Sequence, residues 1–155
     1  MNQEKQRPRP PLLIAQIGFV HTVMRKECDK IFREHDFPLE MDQLPVLLSL
    51  YYSGGASQQE IYSKLLRDKA SVNRTVAFLA KKGILTTTPD SADRRKTRVE
   101  LTAAGKKLAQ KANVIIEKYD EKLASAFTAE EKREWHRLMQ ILIEGNPFPS
   151  LQIPI

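Results

Sequence analysis

Apolar positions recur along the chain at helical spacing, then briefly at strand spacing, then at helical spacing again. Leu13, Ile17, Val20, Met24, Cys28 and Ile31 step by four, three, four, four and three residues. That spacing predicts one apolar face of a helix running from near Leu12 to near Phe37-Pro38. A second predicted helix, over 42–52, carries Leu44, Val46, Leu47, Leu48, Leu50 and Tyr51 nearly all round, so it belongs in a core. Ser53-Gly54-Gly55 stops it. Ser57-Gln58-Gln59-Glu60 then reads as a capping box, with the Ser57 side chain able to bond the Glu60 amide while Glu60 reaches back. It opens a short helix that runs to Arg67 and buries Ile61, Leu65 and Leu66. Asp68 caps a fourth helix whose inner stripe is Val72, Val76 and Leu79. Lys81-Lys82-Gly83 closes it, with cations at the negative end and a glycine to turn left-handed.

The period now changes. Residues 84–88 are rich in β-branched side chains and 89–94 read as a turn. Over 96–101, Thr97, Val99 and Leu101 alternate with Lys96, Arg98 and Glu100. This pattern predicts a β-hairpin with a basic edge. Thr102 caps a long helix with Leu108, Ala112, Ile115, Tyr119 and Leu123 on one face. Thr128-Ala129-Glu130-Glu131 is a second capping box, opening a last helix with Trp135, Leu138, Met139 and Leu142 inward and Gly145 as its stop. Residues 1–11 form a polar, proline-rich arm and 146–155 a proline-containing tail.

Composition narrows the class. With 155 residues and one cysteine, the chain is a single domain that no disulfide staples. The charge-free stretches 10–24 and 43–59 fall short of the roughly 20 apolar residues a membrane helix needs. No Ala-x-Ala follows the N-terminal apolar run, so the chain reads as cytoplasmic, with no membrane partner. Charge is informative by position: residues 69–111 hold 11 basic and three acidic side chains, while the other 112 hold 14 and 16. A neutral chain with one cationic stretch predicts a polyanion-binding surface.

Two short helices, the second basic, followed by a basic hairpin make a winged helix-turn-helix. One helix fits the major groove of B-DNA, and a hairpin beside it can lay cations along the backbone or in the minor groove. The outward positions of the second short helix include Lys69, Ser71, Asn73, Arg74, Thr75 and Ala77. Asn73 and Arg74 are the base-reading candidates, suited to adenine and guanine respectively. Lys69, Ser71, Lys96 and Arg98 are assigned to phosphate. The chain has no Gly-rich phosphate loop, His-Glu-x-x-His or nucleophile elbow, and too few histidines for an acid/base pair, so no enzymatic function, catalytic residue or cofactor is expected.

Several ordered motifs between Gln43 and Gly105 resemble the MarR family of bacterial transcriptional regulators. They are Gln43-Leu44-Pro45-Val46-Leu47, Ser57-Gln58-Gln59-Glu60-Ile61, Asp68-Lys69-Ala70-Ser71-Val72-Asn73-Arg74, Leu79-Ala80-Lys81-Lys82-Gly83, Asp93-Arg94-Arg95 and Leu101-Thr102-Ala103-Ala104-Gly105. The resemblance implies a mainly α fold with a small β-hairpin wing, in which a winged helix-turn-helix lobe (38–101) is flanked by N- and C-terminal dimerisation helices (12–37 and 102–145). It implies a homodimer that reads a pseudo-palindrome in double-stranded DNA. Apolar stripes on three terminal helices are more than one small lobe can cover, which independently favours a partner chain. By the same similarity, Arg95 is the minor-groove arginine, Asp93 the carboxylate that orients it, and Arg94 their cationic neighbour; an exposed ion pair of little consequence is the alternative.

Members of the family often respond to a small lipophilic or aromatic effector, and His21, Met24, Tyr51 and Tyr52 are the pocket candidates, although core packing explains them nearly as well. Peroxide-sensing relatives carry their cysteine where this chain has Gln16 or Ile17, so Cys28 is expected as a packed thiol. Zinc-sensing relatives add histidines on the penultimate helix, but residues 103–127 hold none, and Glu27, Cys28, Glu34 and His35 are not expected to hold metal. The expected function is a sequence-specific repressor tuned by an effector. The alternative is a winged-helix architectural or protein-interaction module with non-specific DNA binding.

Overall fold

The computed structural model describes residues 12–89 and 97–145. Among the described residues it holds six helices and one three-stranded antiparallel sheet, the mainly α winged-helix class that the sequence predicts. Between Phe37 and Pro38 the chain divides into two units.

The first unit contains α1 (Leu13–Glu34). At its C-terminal end Phe32 is buried and meets Phe37 edge to face, with ring centroids 4.8 Å apart. The Phe37 amide donates to the Phe32 carbonyl, turning the chain out of the helix. Along the rest of α1 the apolar side chains Leu13, Ile14, Ile17, Phe19, Val20 and Val23 are exposed.

The second unit is built around α2 (Leu44–Ser53), which packs against α3 (Gln58–Leu65), α4 (Lys69–Lys81), α5 (Ala103–Ala124) and strand β3 (Thr97–Leu101). A short helix can face so many neighbours because it is apolar on most sides, with Leu44, Val46, Leu47 and Leu50 all buried. Pro45 sits in its first turn, where a missing amide proton costs nothing, and Gly54 ends it at φ 70°. Leu47, Leu50, Ile61 and Leu79 are almost completely withdrawn from solvent. Each contributes about 1.5–3 kcal/mol of burial free energy.

The sheet corrects the expected two-stranded hairpin. Strand β1 (Ala56–Ser57) pairs with β3, which pairs in turn with β2 (Leu85–Pro89), in the order β1-β3-β2. Ala56 lies opposite Val99, and Leu85 opposite Leu101. A strand of two residues has no period to detect, so only its partner reveals it. Val99 and Leu101 point into the core as the alternation predicts.

Thr102 joins the sheet to α5. Its amide donates to the Ile84 carbonyl at 3.0 Å and its hydroxyl to the Gly83 carbonyl at 2.8 Å, while the same oxygen accepts from the Gly105 amide. The helix thereby approaches so closely that a Cβ on Gly105 would lie 2.0 Å from the Ile84 carbonyl oxygen. Only glycine fits there.

Two further expectations are corrected. Leu66 is half exposed because the chain turns left-handed there, at φ 51°, and swings its side chain out of the α3 stripe. In α6 (Ala129–Glu144) no residue is buried, and Trp135, Leu138 and Ile141 remain about half exposed. The apolar stripe exists, but the single chain does not cover it.

Candidate nucleic-acid interface

The site begins with the local logic of α3 and α4. Ser57 accepts from the Glu60 amide at 3.2 Å, and the Glu60 carboxylate accepts from the Ser57 amide at 2.7 Å and hydroxyl at 2.9 Å, completing the first capping box. These bonds favour the charged carboxylate, so the Glu60 pKa is lowered, with Lys64 and Arg98 adding to the effect. Three residues, 66–68, then redirect the chain. Asp68 caps α4 by accepting from the Ser71 amide at 2.8 Å.

On α4 the buried face consists of Val72, Thr75, Val76 and Leu79. Lys69 and Arg74 are exposed, and Ser71 and Asn73 half-buried. Thr75 is a correction: expected outward, it is buried, with its hydroxyl donating to the Ser71 carbonyl at 3.1 Å. The helical period places position 75 on the edge of the stripe, and a threonine that bonds backward to its own helix can be buried there without an outside partner. Asn73 also differs from expectation. Its Oδ1 is buried and accepts no hydrogen bond within the described residues, so it does not present both ends of its amide to an edge of adenine. At the C-terminal end of the helix, the Lys82 ammonium lies 5.7 Å from the centroid of the partly exposed Phe78 ring.

Arg98 on β3 is not an unencumbered phosphate ligand, because its Nε donates to Glu100 Oε1 at 2.6 Å. Gly55 allows this pair to close over it, since a Cβ there would meet Glu100 at 2.8 Å. Asp93, Arg94, Arg95 and Lys96, the expected wing tip, lie outside the described residues. The sequence reading overlooked Arg67. One guanidinium nitrogen donates to the Asp42 carbonyl oxygen and another to Ser71 Oγ. No local pattern signals the contact to Asp42, which is 25 residues away.

The effector candidates fall on two helices, His21 and Met24 on α1 and Tyr51 and Tyr52 on α2. The tyrosine rings meet edge to face at 5.5 Å, and the Tyr52 hydroxyl donates to Asn113 Oδ1 on α5 at 2.9 Å. An open depression lined by Ser57, Gln59, Glu60, Ser63 and Lys64 lies elsewhere and includes none of them. Burial raises the pKa of the Cys28 thiol, and the neighbouring Asp29 and Glu27 raise it further, which favours the protonated thiol over the thiolate. Among the described residues no cluster of three or more His, Cys, Asp or Glu side chains is placed to hold a metal ion. None of the described helices is long and apolar enough to cross a membrane.

A short helix buried on one face and basic on the other, preceded by a second short helix and followed by a sheet, defines a winged helix-turn-helix protein. The sequence profile of the MarR family matches residues 39–97. An uncharacterized HTH-type transcriptional regulator of Bacillus subtilis, YwoH, is 30% identical over 132 residues, which span 85% of this chain and 94% of that protein. The crystal structure of a MarR transcriptional regulator from Methanosarcina mazei superposes with a TM-score of 0.75 at 28% identity, covering 84% of this chain and 92% of that one. The Staphylococcus aureus MepR-DNA complex superposes with a TM-score of 0.77 at 20% identity, over 88% of this chain and 99% of that one. The chain belongs to the MarR family, and the Bacillus subtilis and Methanosarcina mazei relatives are named as transcriptional regulators.

Proposed function

We propose that this MarR-family regulator binds double-stranded DNA as a homodimer and represses transcription from a pseudo-palindromic operator, with a small lipophilic or aromatic effector tuning its affinity. The observation that carries the reading is α4, where Val72, Val76 and Leu79 fix one face in the core while Lys69 and Arg74 stand exposed on the other. A rigidly seated helix with cations outward is what major-groove recognition requires. The fold shared with a protein solved on DNA supports the same use. Val114, Phe127, Trp135, Leu138 and Ile141, about half exposed on α5 and beyond, favour a second copy as their cover. In such a dimer the two recognition helices sit about 34 Å apart, one turn of duplex, and an effector acts by preferring another spacing. His21, Met24, Tyr51 and Tyr52 are the side chains assigned to that effector, and Asp93, Arg94, Arg95 and Lys96 to the adjacent groove and backbone.

The test is selection of a preferred duplex from a random pool, followed by titration against a scrambled duplex across a salt series. Arg74→Ala is expected to relax preference at one base pair by about 1–3 kcal/mol, and Lys69→Ala to lower the salt slope by about one without changing preference. Equal, steeply salt-dependent binding to both duplexes overturns the reading in favour of an architectural module. Sedimentation of Leu138→Asp checks the dimer, with a monomer expected.

A further inference from the structure

Ser71 is engaged through its amide, its carbonyl and its hydroxyl oxygen. Its amide donates to Asp68, its carbonyl accepts from Thr75, and its hydroxyl oxygen accepts from Arg67. Arg67 in turn holds the carbonyl of Asp42, just before α2, through another nitrogen of the same guanidinium, while its own amide donates to the Tyr62 carbonyl at 3.2 Å. One half-buried side chain thus ties the first turn of α4 to the start of the central helix, while the backbone of the same residue is tied to the end of α3. It does so directly after Leu66, whose left-handed backbone is unfavourable for a leucine and must be held by its surroundings.

We infer that Arg67 is a positioning residue for DNA reading: it fixes the entry angle of α4 and turns the Ser71 hydroxyl proton outward as a donor. This rests on the reading of α4 as the recognition helix. The chemistry is specific to arginine. A planar guanidinium can span a carbonyl and a hydroxyl at once, whereas an ammonium on a flexible stem is not pre-organised to do so. Because the hydroxyl oxygen accepts a charge-assisted bond, its own O–H is polarised and left to donate to an outside acceptor on a base edge in the groove. Arg67 therefore acts through Ser71 and through helix geometry, without itself neutralising a phosphate.

That distinction is measurable. Wild-type protein, Arg67→Met, Arg67→Lys, Ser71→Ala and the Arg67→Met/Ser71→Ala double variant are titrated against the duplex selected by the wild type and against a scrambled duplex, each across a salt series. Losing hydrogen bonds to a charged group is expected to weaken Arg67→Met about tenfold on the selected duplex. Binding to the scrambled duplex and the salt slope should not move. Arg67→Lys should recover part of the loss. Ser71→Ala should reproduce most of it, with the double variant little worse than Arg67→Met because both act along one path. A fall of about one in the salt slope on both duplexes would overturn the assignment by making Arg67 a phosphate ligand, and so would undiminished preference in Arg67→Met. If Arg67→Met does not fold, as judged by circular dichroism at the assay temperature, Arg67→Lys and Ser71→Ala decide the matter by the same criteria. Wild-type protein that binds both duplexes alike overturns the DNA-reading proposal first, and Arg67 with it, and that result is visible before any variant is made.

Discussion

Replacing Gly105 by alanine tests whether close approach or helix propensity governs the joint between the wing and α5. Propensity alone makes Gly→Ala in a helix stabilising by about 1 kcal/mol. At Gly105, however, the new Cβ would lie 2.0 Å from the Ile84 carbonyl oxygen, against a floor of 3.0 Å for real contacts, so the helix must retreat by about 1 Å. The obstacle is backbone and cannot rotate away. Retreat stretches the bond from the Thr102 amide to Ile84 and those from the Thr102 hydroxyl to Gly83 and Ile84. Each of the three stretched bonds loses about 0.5 kcal/mol and the overpacking costs about 1.5–2.5 kcal/mol, so after the gain of about 1 kcal/mol from propensity the net effect is a loss of about 2–3 kcal/mol. For a chain of this size that lowers Tm by about 4–12 °C. Gly18 supplies the internal control, because it sits within α1 with nothing within 4 Å of its would-be Cβ. Gly18→Ala should raise stability by about 0.5–1 kcal/mol. Urea unfolding at fixed protein concentration reads both variants through the midpoint, with the slope unchanged. A Gly105→Ala protein as stable as wild type would refute the close-approach argument.

Three other outcomes follow from the same contacts. Glu60 and Glu131 have lowered pKa values because each accepts hydrogen bonds within its capping box. Their folded-state values lie below the unfolded ones, so the stability they lend is full above the unfolded value and fades as pH falls through the folded one. Thermal melts of wild type and Ser57→Ala should therefore differ at neutral pH and converge as pH drops from about 5 to about 3; a constant gap would count against the charged cap. Cys28, protonated through burial and its acidic neighbours, should alkylate with iodoacetamide at pH 7.5 more slowly than a free thiol, and Cys28→Ser should leave DNA affinity unchanged before and after peroxide. Thr75→Val should leave DNA affinity and salt slope intact and shift stability by no more than about 1 kcal/mol, since the hydroxyl bonds only its own helix; a tenfold loss of binding would return Thr75 to the interface.

What the sequence determined by itself is everything whose cause lies within a few residues. Ser57 with Glu60, Thr128 with Glu131 and Asp68 with Ser71 are bonds across three positions, and each forms where the residue order says it can. The helical stripes and the alternation of Val99 with Leu101 are likewise local statements about which face turns inward. Tertiary structure decided the rest. The two residues of β1 become a strand only because Val99 and Arg98 lie opposite them. Thr75 and Leu66 exchanged their expected places, one drawn into the core and the other turned out, because packing and backbone direction outweigh the average period. Arg67 reaches across 25 residues to Asp42, and the Tyr52 hydroxyl across 61 to Asn113. Such contacts are set by where whole elements dock, and that docking is a property of the assembled core rather than of any window of the chain.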